Sequence, residues 1–141
     1  MNATCACFNV RKAARAVTQL YDEILRPSGL RTTQFTLLML LRGHGALRMS
    51  DLADRAMTDR TTLTRNLAVL RQARLVRVRP GEDARVRAVE LTEKGEDAVD
   101  AAFPLWEQAQ ASLTRGLGRD GLTRLLAELS AVTHATTKSP S

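Results

Sequence analysis

Arginine dominates the basic residues of this chain and is concentrated in one segment. Of 21 basic residues 18 are arginine, and residues 48–87 contain ten arginines against five acidic residues. The stretch 60–81 holds six arginines and no acidic residue. A planar guanidinium group forms paired hydrogen bonds with phosphate oxygens and with the edge of guanine. A charge run this one-sided, confined to one segment, favours a polyanionic partner over a merely solvated face.

The segment 60–66, Arg-Thr-Thr-Leu-Thr-Arg-Asn, is predicted to form the polar first half of a helix. Such a helix fits the major groove of double-stranded DNA, which is about 12 Å wide. Arginines there can address a guanine or a phosphate, and threonines suit phosphate oxygens and thymine methyl groups. A following hairpin with arginine near its tip can enter a narrow minor groove. The candidate DNA contacts are Ser50, Arg60, Thr61, Thr62, Thr64, Arg65, Arg79, Arg85 and Arg87.

The period of the apolar residues predicts the elements that position these side chains. Steps of three and four predict a long helix over 8–25 and a buried helix over 35–42 that Thr32 or Thr33 can cap. A short helix over 50–56, with Ser50 as N-cap, precedes the helix 60–73. Alternating residues on either side of a Pro-Gly turn predict a β-hairpin over 76–91. Two further helices follow, one that Thr92 can cap and one over about 120–133.

These elements predict a mainly α fold, a winged helix-turn-helix with a small β-hairpin wing. The expected organisation is an N-terminal helix in 1–30, a DNA-binding domain in 31–91 and C-terminal helices in 92–141. The terminal helices carry more apolar surface than one chain of 141 residues can cover, which predicts a homodimer formed by both terminal segments. The absence of a bilayer-length apolar run, of a secretion signal and of a disulfide framework leads us to expect a cytoplasmic protein without membrane contact.

Six motifs in order resemble the MarR family of winged helix-turn-helix regulators. They are 30–38 (LRTTQFTLL), 50–53 (SDLA), 59–67 (DRTTLTRNL), 75–76 (LV), 81–85 (GEDAR) and 91–95 (LTEKG). The resemblance covers about residues 8–135. It implies an obligate dimer built from the first and last two helices, a pseudo-palindromic operator, a repressor function, and release by a small ligand or an oxidant. Family members usually carry glycine where this chain has Arg74, so the helix 60–73 must end on a left-handed arginine or end differently.

The chain also resembles the peroxide-sensing OhrR branch of that family at its N-terminus. In that branch a reactive cysteine precedes Phe near the start of the first helix, with a tyrosine fourteen residues on, and Cys7-Phe8 and Tyr21 match this spacing. A helix N-terminus favours a reactive thiolate, and Cys5 can serve as the resolving thiol. The branch usually has a second tyrosine where this chain has Arg11. The alternative is that Cys7 is a small buried side chain.

A ligand pocket is the second switch that the resemblance implies. In the family, anionic aromatic compounds often bind between the dimer helices and the winged domain. The candidate partners of a ligand carboxylate here are Arg15, Arg42 and His44. No cofactor is expected, and no metal, because Cys5, Cys7, His44 and His134 lack the spacing of a zinc motif.

Two other classes of protein remain as alternatives. An enzyme is disfavoured, because the chain has no glycine-rich phosphate loop, no H-E-x-x-H and no G-x-S-x-G motif. A dimeric adaptor or scaffold that does not bind DNA is the stronger alternative, because amphipathic terminal helices alone would suit it. Salt dependence distinguishes a DNA-binding protein from such an adaptor, since DNA affinity falls steeply with salt when several phosphates are contacted.

Overall fold

The computed structural model describes residues 3–83 and 85–137, and two compact units divide the chain, Met1–Trp106 and Glu107–Ser141. Ala84 of the 81–85 motif and residues 138–141 lie outside the described residues. Within those residues, six α-helices and three strands follow one another: α1 Ala6–Leu25, α2 Thr32–His44, β1 Leu47–Arg48, α3 Met49–Ala56, α4 Arg60–Gln72, β2 Val76–Pro80, β3 Arg87–Leu91, α5 Glu93–Leu117 and α6 Arg119–Thr137. The prediction of a mainly α winged helix-turn-helix is confirmed.

The sheet has one strand more than predicted. β3 lies between β1 and β2 and is antiparallel to both, so the sheet order is β1-β3-β2. β1 is a two-residue strand in which Leu47 pairs with Val89 and Arg48 with Ala88. A strand this short has no alternation for a sequence pattern to reveal. Its consequence is that the start of α3 is hydrogen-bonded to the wing, the hairpin formed by β2 and β3.

Two helix starts differ from the prediction. α2 begins at Thr32 with Arg31 as N-cap, so Thr32 and Thr33 are helical residues rather than caps. The free N–H groups there are satisfied by Gln34 Oε1, 3.0 Å from Arg31 N, and by Asp22 Oδ1, 2.8 Å from Thr32 N. α3 begins at Met49 with Arg48 as N-cap, so the prediction that Ser50 caps it is wrong. Ser50 lies exposed in the first turn of α3.

The core of the first unit consists almost entirely of leucine and valine. Leu63, Leu67 and Leu70 bury one side of α4, as their spacing predicts. They join buried leucines of α2 and α3 and Val89 of β3 in a single cluster. Burial of each such side chain stabilises the fold by about 1.5–3 kcal/mol. Because these three leucines fix the rotation of α4 about its axis, the polar residues between them face outward.

A tight joint connects the end of α4, the start of β2 and the start of α5. The Thr92 hydroxyl donates to the Arg74 carbonyl at 2.6 Å and accepts from Gly95 N at 3.0 Å, so Thr92 caps α5 as predicted. A Cβ on Gly95 would lie 2.1 Å from the carbonyl oxygen of Leu75. Only glycine therefore allows α5 to begin this close to the start of the wing.

The second unit contains the end of α5 and all of α6. Gly118, with φ +77°, ends α5, and α6 runs to Thr137. α6 has no buried residue, and Leu126, Leu129 and Val132 expose 54%, 41% and 46% of their surface. No helix in the described part of the chain is long and apolar enough to cross a bilayer.

Candidate nucleic-acid interface

The first turn of α4 is held by an aspartate cap. The backbone N–H of Thr62 donates to Asp59 Oδ1 at 2.6 Å. This hydrogen bond, with a smaller contribution from the positive charge of Arg65, lowers the pKa of Asp59. The cap satisfies one N–H group at the start of α4, and the remaining free N–H groups carry the partial positive charge of a helix N-terminus.

Thr61 and Arg65 face outward in the first half of α4. At 100° per residue they project from the side of the helix opposite the buried Leu63, Leu67 and Leu70, and both are exposed. Thr62 is half-buried and lies on one flank. The Thr64 hydroxyl donates to the Arg60 carbonyl at 2.8 Å, so Thr64 offers its methyl group and oxygen lone pairs rather than a hydrogen-bond donor.

A groove of about 520 Å³ separates α4 from the wing. The start of α3 forms one of its walls. The groove brings together five of the nine predicted DNA contacts and two arginines that were not among the predicted contacts. Its polar lining residues are Arg48, Ser50, Arg60, Thr64, Arg71, Arg85 and Arg87.

Only one of the two missed arginines had a usable signal in the sequence. Arg71 follows Arg60 by three helical turns, so the spacing that places Arg60 and Thr64 on one flank of α4 also places Arg71 there. Arg48 enters the groove because β1 pairs with β3, and this pairing has no signature in the sequence. Arg48 also forms an ion pair with Asp51, with Nε and Oδ2 3.1 Å apart.

The remaining groove arginines are unpaired. In residues 3–83 and 85–137, the guanidinium groups of Arg60, Arg71, Arg85 and Arg87 form neither a hydrogen bond nor an ion pair within the chain. All four are exposed. Four unpaired guanidinium groups around one groove form a surface that attracts a chain of phosphates.

The two faces of the wing have different arginines. In the register of β2 and β3, Val78 pairs with Val89 and Pro80 with Arg87, which places Arg87 on the face that meets the core and the groove. Arg77 and Arg79 lie on the outer face, where they flank Glu90. The Nε of Arg77 is 2.6 Å from Glu90 Oε1, and the Nη2 of Arg79 is 3.4 Å from Glu90 Oε2. Arg79, a predicted DNA contact, therefore does not line the groove.

The three candidate ligand residues are not brought together. Arg42 forms ion pairs with Glu96, at 2.9 Å, and with Asp100, whose hydrogen bond raises the pKa of Arg42. His44 Nε2 is 3.3 Å from the Nη1 of Arg55. His44 borders an apolar crevice of about 250 Å³ between α2 and Trp106. Arg15 is exposed on α1.

The N-terminal cysteines occupy the first turn of α1. Cys5 is the N-cap, and its Sγ accepts from Phe8 N at 3.4 Å. Cys7 is a free, exposed thiol, so the alternative that Cys7 is buried does not hold within this chain. Tyr21 is buried, which raises the pKa of its hydroxyl. Fourteen residues of helix separate Cys7 from Tyr21 by about 21 Å, so the two do not meet within one chain.

The possible metal ligands do not lie together. Within the described residues, no group of three His, Cys, Asp or Glu side chains is placed to hold a metal ion, and this includes Cys5, Cys7, His44 and His134.

Known proteins are similar to this chain in sequence and in fold. The model of the MarR family matches residues 28–86. The transcriptional regulator FarR of Neisseria gonorrhoeae is 30% identical over 128 residues, 88% of each chain. The M. tuberculosis regulator MosR in complex with DNA is 46% identical, with a TM-score of 0.80 over 94% of this chain and 98% of that one. A mutant of E. coli MarR bound to operator DNA is 25% identical, with a TM-score of 0.80 over 87% of this chain and 89% of that one.

Proposed function

The chain belongs to the MarR family of DNA-binding transcriptional regulators, and from this premise we propose that it binds a pseudo-palindromic operator as a homodimer and represses transcription. The observation that carries the proposal is the groove between α4 and the wing with its unpaired Arg60, Arg71, Arg85 and Arg87. A regulator that occupies a promoter blocks transcription when its site overlaps that of the polymerase.

We infer a division of labour among the polar side chains. α4 enters the major groove, with Thr61 and Arg65 contacting base edges, because these side chains are exposed opposite the buried leucines in the first half of the helix. The phosphates of the strand that passes between α4 and the wing are held by Ser50 and by the groove arginines other than Arg85. Arg85, next to the tip of the wing, enters the flanking minor groove. Base contacts set the sequence preference, and phosphate contacts set the register.

The homodimer is supported by apolar side chains that one chain leaves in water. Phe8 and Val10 on α1 each expose 43% of their surface, and Leu126, Leu129 and Val132 on α6 are similarly exposed. A second copy covers such faces by symmetry and presents two copies of α4 to two half-sites. Sedimentation at micromolar concentration checks the dimer, and a stable folded monomer near 15.5 kDa would contradict it.

The test of DNA binding is a salt titration with DNA from upstream of the protein's own gene. The logarithm of the affinity is expected to fall linearly with the logarithm of the salt concentration, with a slope of about −0.9 for each phosphate contacted. Arg65→Ala is expected to weaken binding to this DNA more than binding to random DNA, because a base contact carries specificity. Arg124→Ala, an exposed arginine of α6, is the control and should change neither. A shallow slope for the wild type would favour the adaptor alternative.

We further propose that one of two signals releases the DNA, thiol oxidation or a small aromatic acid. The thiol route is supported by Cys5 at the N-terminus of α1 and the exposed Cys7 beside it. An organic hydroperoxide would oxidise the thiolate of Cys7 to a sulfenic acid and be reduced to the alcohol. The Cys5 thiol would then condense with the sulfenic acid to a disulfide, with loss of water.

Titration of the reduced and the peroxide-treated protein separates the two signals. DNA binding that is lost on oxidation, restored by a thiol reductant and insensitive to peroxide in Cys7→Ser assigns the signal to Cys7. Tight binding that peroxide leaves unchanged in the wild type contradicts the thiol route. The search then moves to aromatic carboxylic acids, with the crevice between α2 and Trp106 as the starting point.

A further inference from the structure

Five residues in the described part of the chain have a positive φ, and they fall into two groups. Three are glycines, Gly29, Gly45 and Gly118, at φ between +74° and +78°. The other two are Met57 at φ +52° and Arg74 at φ +63°. Glycine adopts this conformation without strain, whereas an L-residue with a side chain is strained there. The two exceptions end the two helices of the helix-turn-helix, α3 and α4.

Met57 and Arg74 close the same helix-ending motif. After α4, Arg74 N donates to the Arg71 carbonyl and Leu75 N to the Leu70 carbonyl, each at 2.9 Å. After α3, Met57 N donates to the Asp54 carbonyl at 3.2 Å and Thr58 N to the Ala53 carbonyl at 3.1 Å. Glycine is the preferred residue at the left-handed position of this Schellman motif.

The backbone of Arg74 cannot relax to avoid its strain. Its carbonyl accepts the Thr92 hydroxyl at 2.6 Å, and the next carbonyl, that of Leu75, accepts Thr92 N at 3.1 Å. Leu75 is buried against the core. A glycine at position 74 would keep all of these backbone hydrogen bonds and remove the strain, so nothing in the fold requires the arginine side chain.

The side chain of Arg74 belongs to the basic stretch that leads from the groove side of α4 into the wing. It is exposed, and its guanidinium forms no hydrogen bond or ion pair among residues 3–83 and 85–137. It follows Arg71 of the groove by three residues in a stretch without an acidic residue. The next two arginines along the chain, Arg77 and Arg79, are both paired with Glu90.

We propose that Arg74 contacts a DNA phosphate and extends the phosphate-binding surface beyond the C-terminal end of α4. This inference rests on the proposed binding of DNA through α4 and the wing. The strained backbone at position 74 is then retained for the charge that it presents, because strain persists where a function requires the side chain.

The test compares Arg74→Gly, Arg74→Lys and Met57→Gly in the full-length protein on the same DNA. Arg74→Gly is expected to raise the melting temperature by about 3 °C, because it removes a left-handed side chain. It should also weaken binding about five- to tenfold at 0.1 M salt and make the salt slope shallower by about 0.9 for each protomer bound. Arg74→Lys retains the charge and should keep the wild-type slope.

Met57→Gly is the matched control, because it relieves the same kind of strain without removing a charge. It should raise the melting temperature and leave the salt slope unchanged. A steep wild-type slope that Arg74→Gly leaves unchanged would overturn the role of Arg74 alone. A shallow slope for the wild type itself would overturn the proposed DNA binding together with this inference.

Discussion

The two faces of the wing carry the same residue type in opposite electrostatic states. On the groove face, Arg87 is exposed and unpaired beside Val78. On the outer face, Arg77 and Arg79 share the carboxylate of Glu90, whose side chain is only 19% exposed. A hairpin that looks uniformly basic in the sequence therefore has one face free to bind anions and one face whose positive charge is partly neutralised. Under the proposed function, we expect the pairing of each arginine, rather than the number of arginines, to determine which surface attracts DNA.

The difference has a simple physical origin. A paired arginine must exchange its carboxylate for a phosphate, so most of the attraction to DNA is offset by the ion pair that is lost. An unpaired arginine releases a counterion from the DNA and loses nothing within the protein. Substitutions at Arg87, Arg85 and Glu90 test whether this distinction governs binding, and a substitution at Asp59 tests the cap of α4, in order of decreasing expected effect.

The comparison is tested most directly by Arg87→Ala against Arg79→Ala. We expect Arg87→Ala to weaken DNA binding about tenfold at 0.1 M salt and to reduce the salt slope by about 0.9 for each protomer. Arg79→Ala should change the affinity less than about twofold, as an exposed ion pair would. Fluorescence anisotropy titrations at several salt concentrations measure both. Equal losses for the two variants would mean that the faces of the wing do not differ.

A second substitution sharpens what the groove side of the wing does. We expect Arg85→Ala to weaken binding several-fold when the operator flanks are A·T-rich and less when they are G·C-rich, because narrow minor grooves attract arginine most strongly. The measurement is the ratio of affinities for two DNA duplexes that differ only in the flanks. A ratio that stays at its wild-type value would place the wing tip outside the minor groove.

Removal of the Glu90 carboxylate would leave the outer face of the wing with two unpaired arginines. Glu90→Gln releases Arg77 and Arg79, so we expect affinity for random DNA to rise about threefold and its salt slope to steepen. Arg48 and its own acidic partner provide the control, since Asp51→Asn frees a cation on the groove side instead. Unchanged binding by Glu90→Gln would show that the outer face never approaches DNA, even when it is charged.

The smallest expected effect concerns the acid next to Arg65. Asp59 uses Oδ1 to cap α4, which lowers its pKa below the ordinary value of 3.8. A carboxyl whose pKa is lower in the folded state stabilises the fold above pH 3.8, and this contribution is lost as the pH falls through the lower, folded value. We expect Asp59→Asn, which keeps an oxygen acceptor, to be less sensitive to pH than the wild type in this acid range.

Acid unfolding followed by circular dichroism measures the Asp59 effect. Unlike Glu90→Gln, Asp59→Asn should leave the binding of random DNA nearly unchanged at neutral pH, because Asp59 is hydrogen-bonded to Thr62 N and forms no ion pair within the described residues. If the wild type and Asp59→Asn unfold in parallel as the pH falls, the cap is not the cause of the acid sensitivity.

The sequence predicted the helices well, because their periods persist over several turns. Leu63, Leu67 and Leu70 define the buried side of α4, and the opposite side, with Thr61 and Arg65, follows directly. The same reasoning extends to Arg71. A two-residue strand has no period, so β1 and the placement of Arg48 in the groove were not predictable.

The wing was predicted as a hairpin but not as two different faces. Alternation alone places Arg77 and Arg79 on one face of β2, and Val76 and Val78 on the other face. Their partner depends on the register of β3, which is set by the geometry of the turn rather than by its composition. The cysteines show the same limit, since spacing marked Cys7, whereas the cap at the start of α1 is Cys5.

The left-handed arginine after α4 also has a genetic consequence. Every arginine codon is one base from a glycine codon, so a single point mutation converts position 74 between the two residues. If DNA affinity and thermal stability change in opposite directions at this position, selection can adjust the balance in one step and reverse it in another. No intermediate sequence is required, and the hydrogen bonds of the joint with Thr92 stay the same throughout.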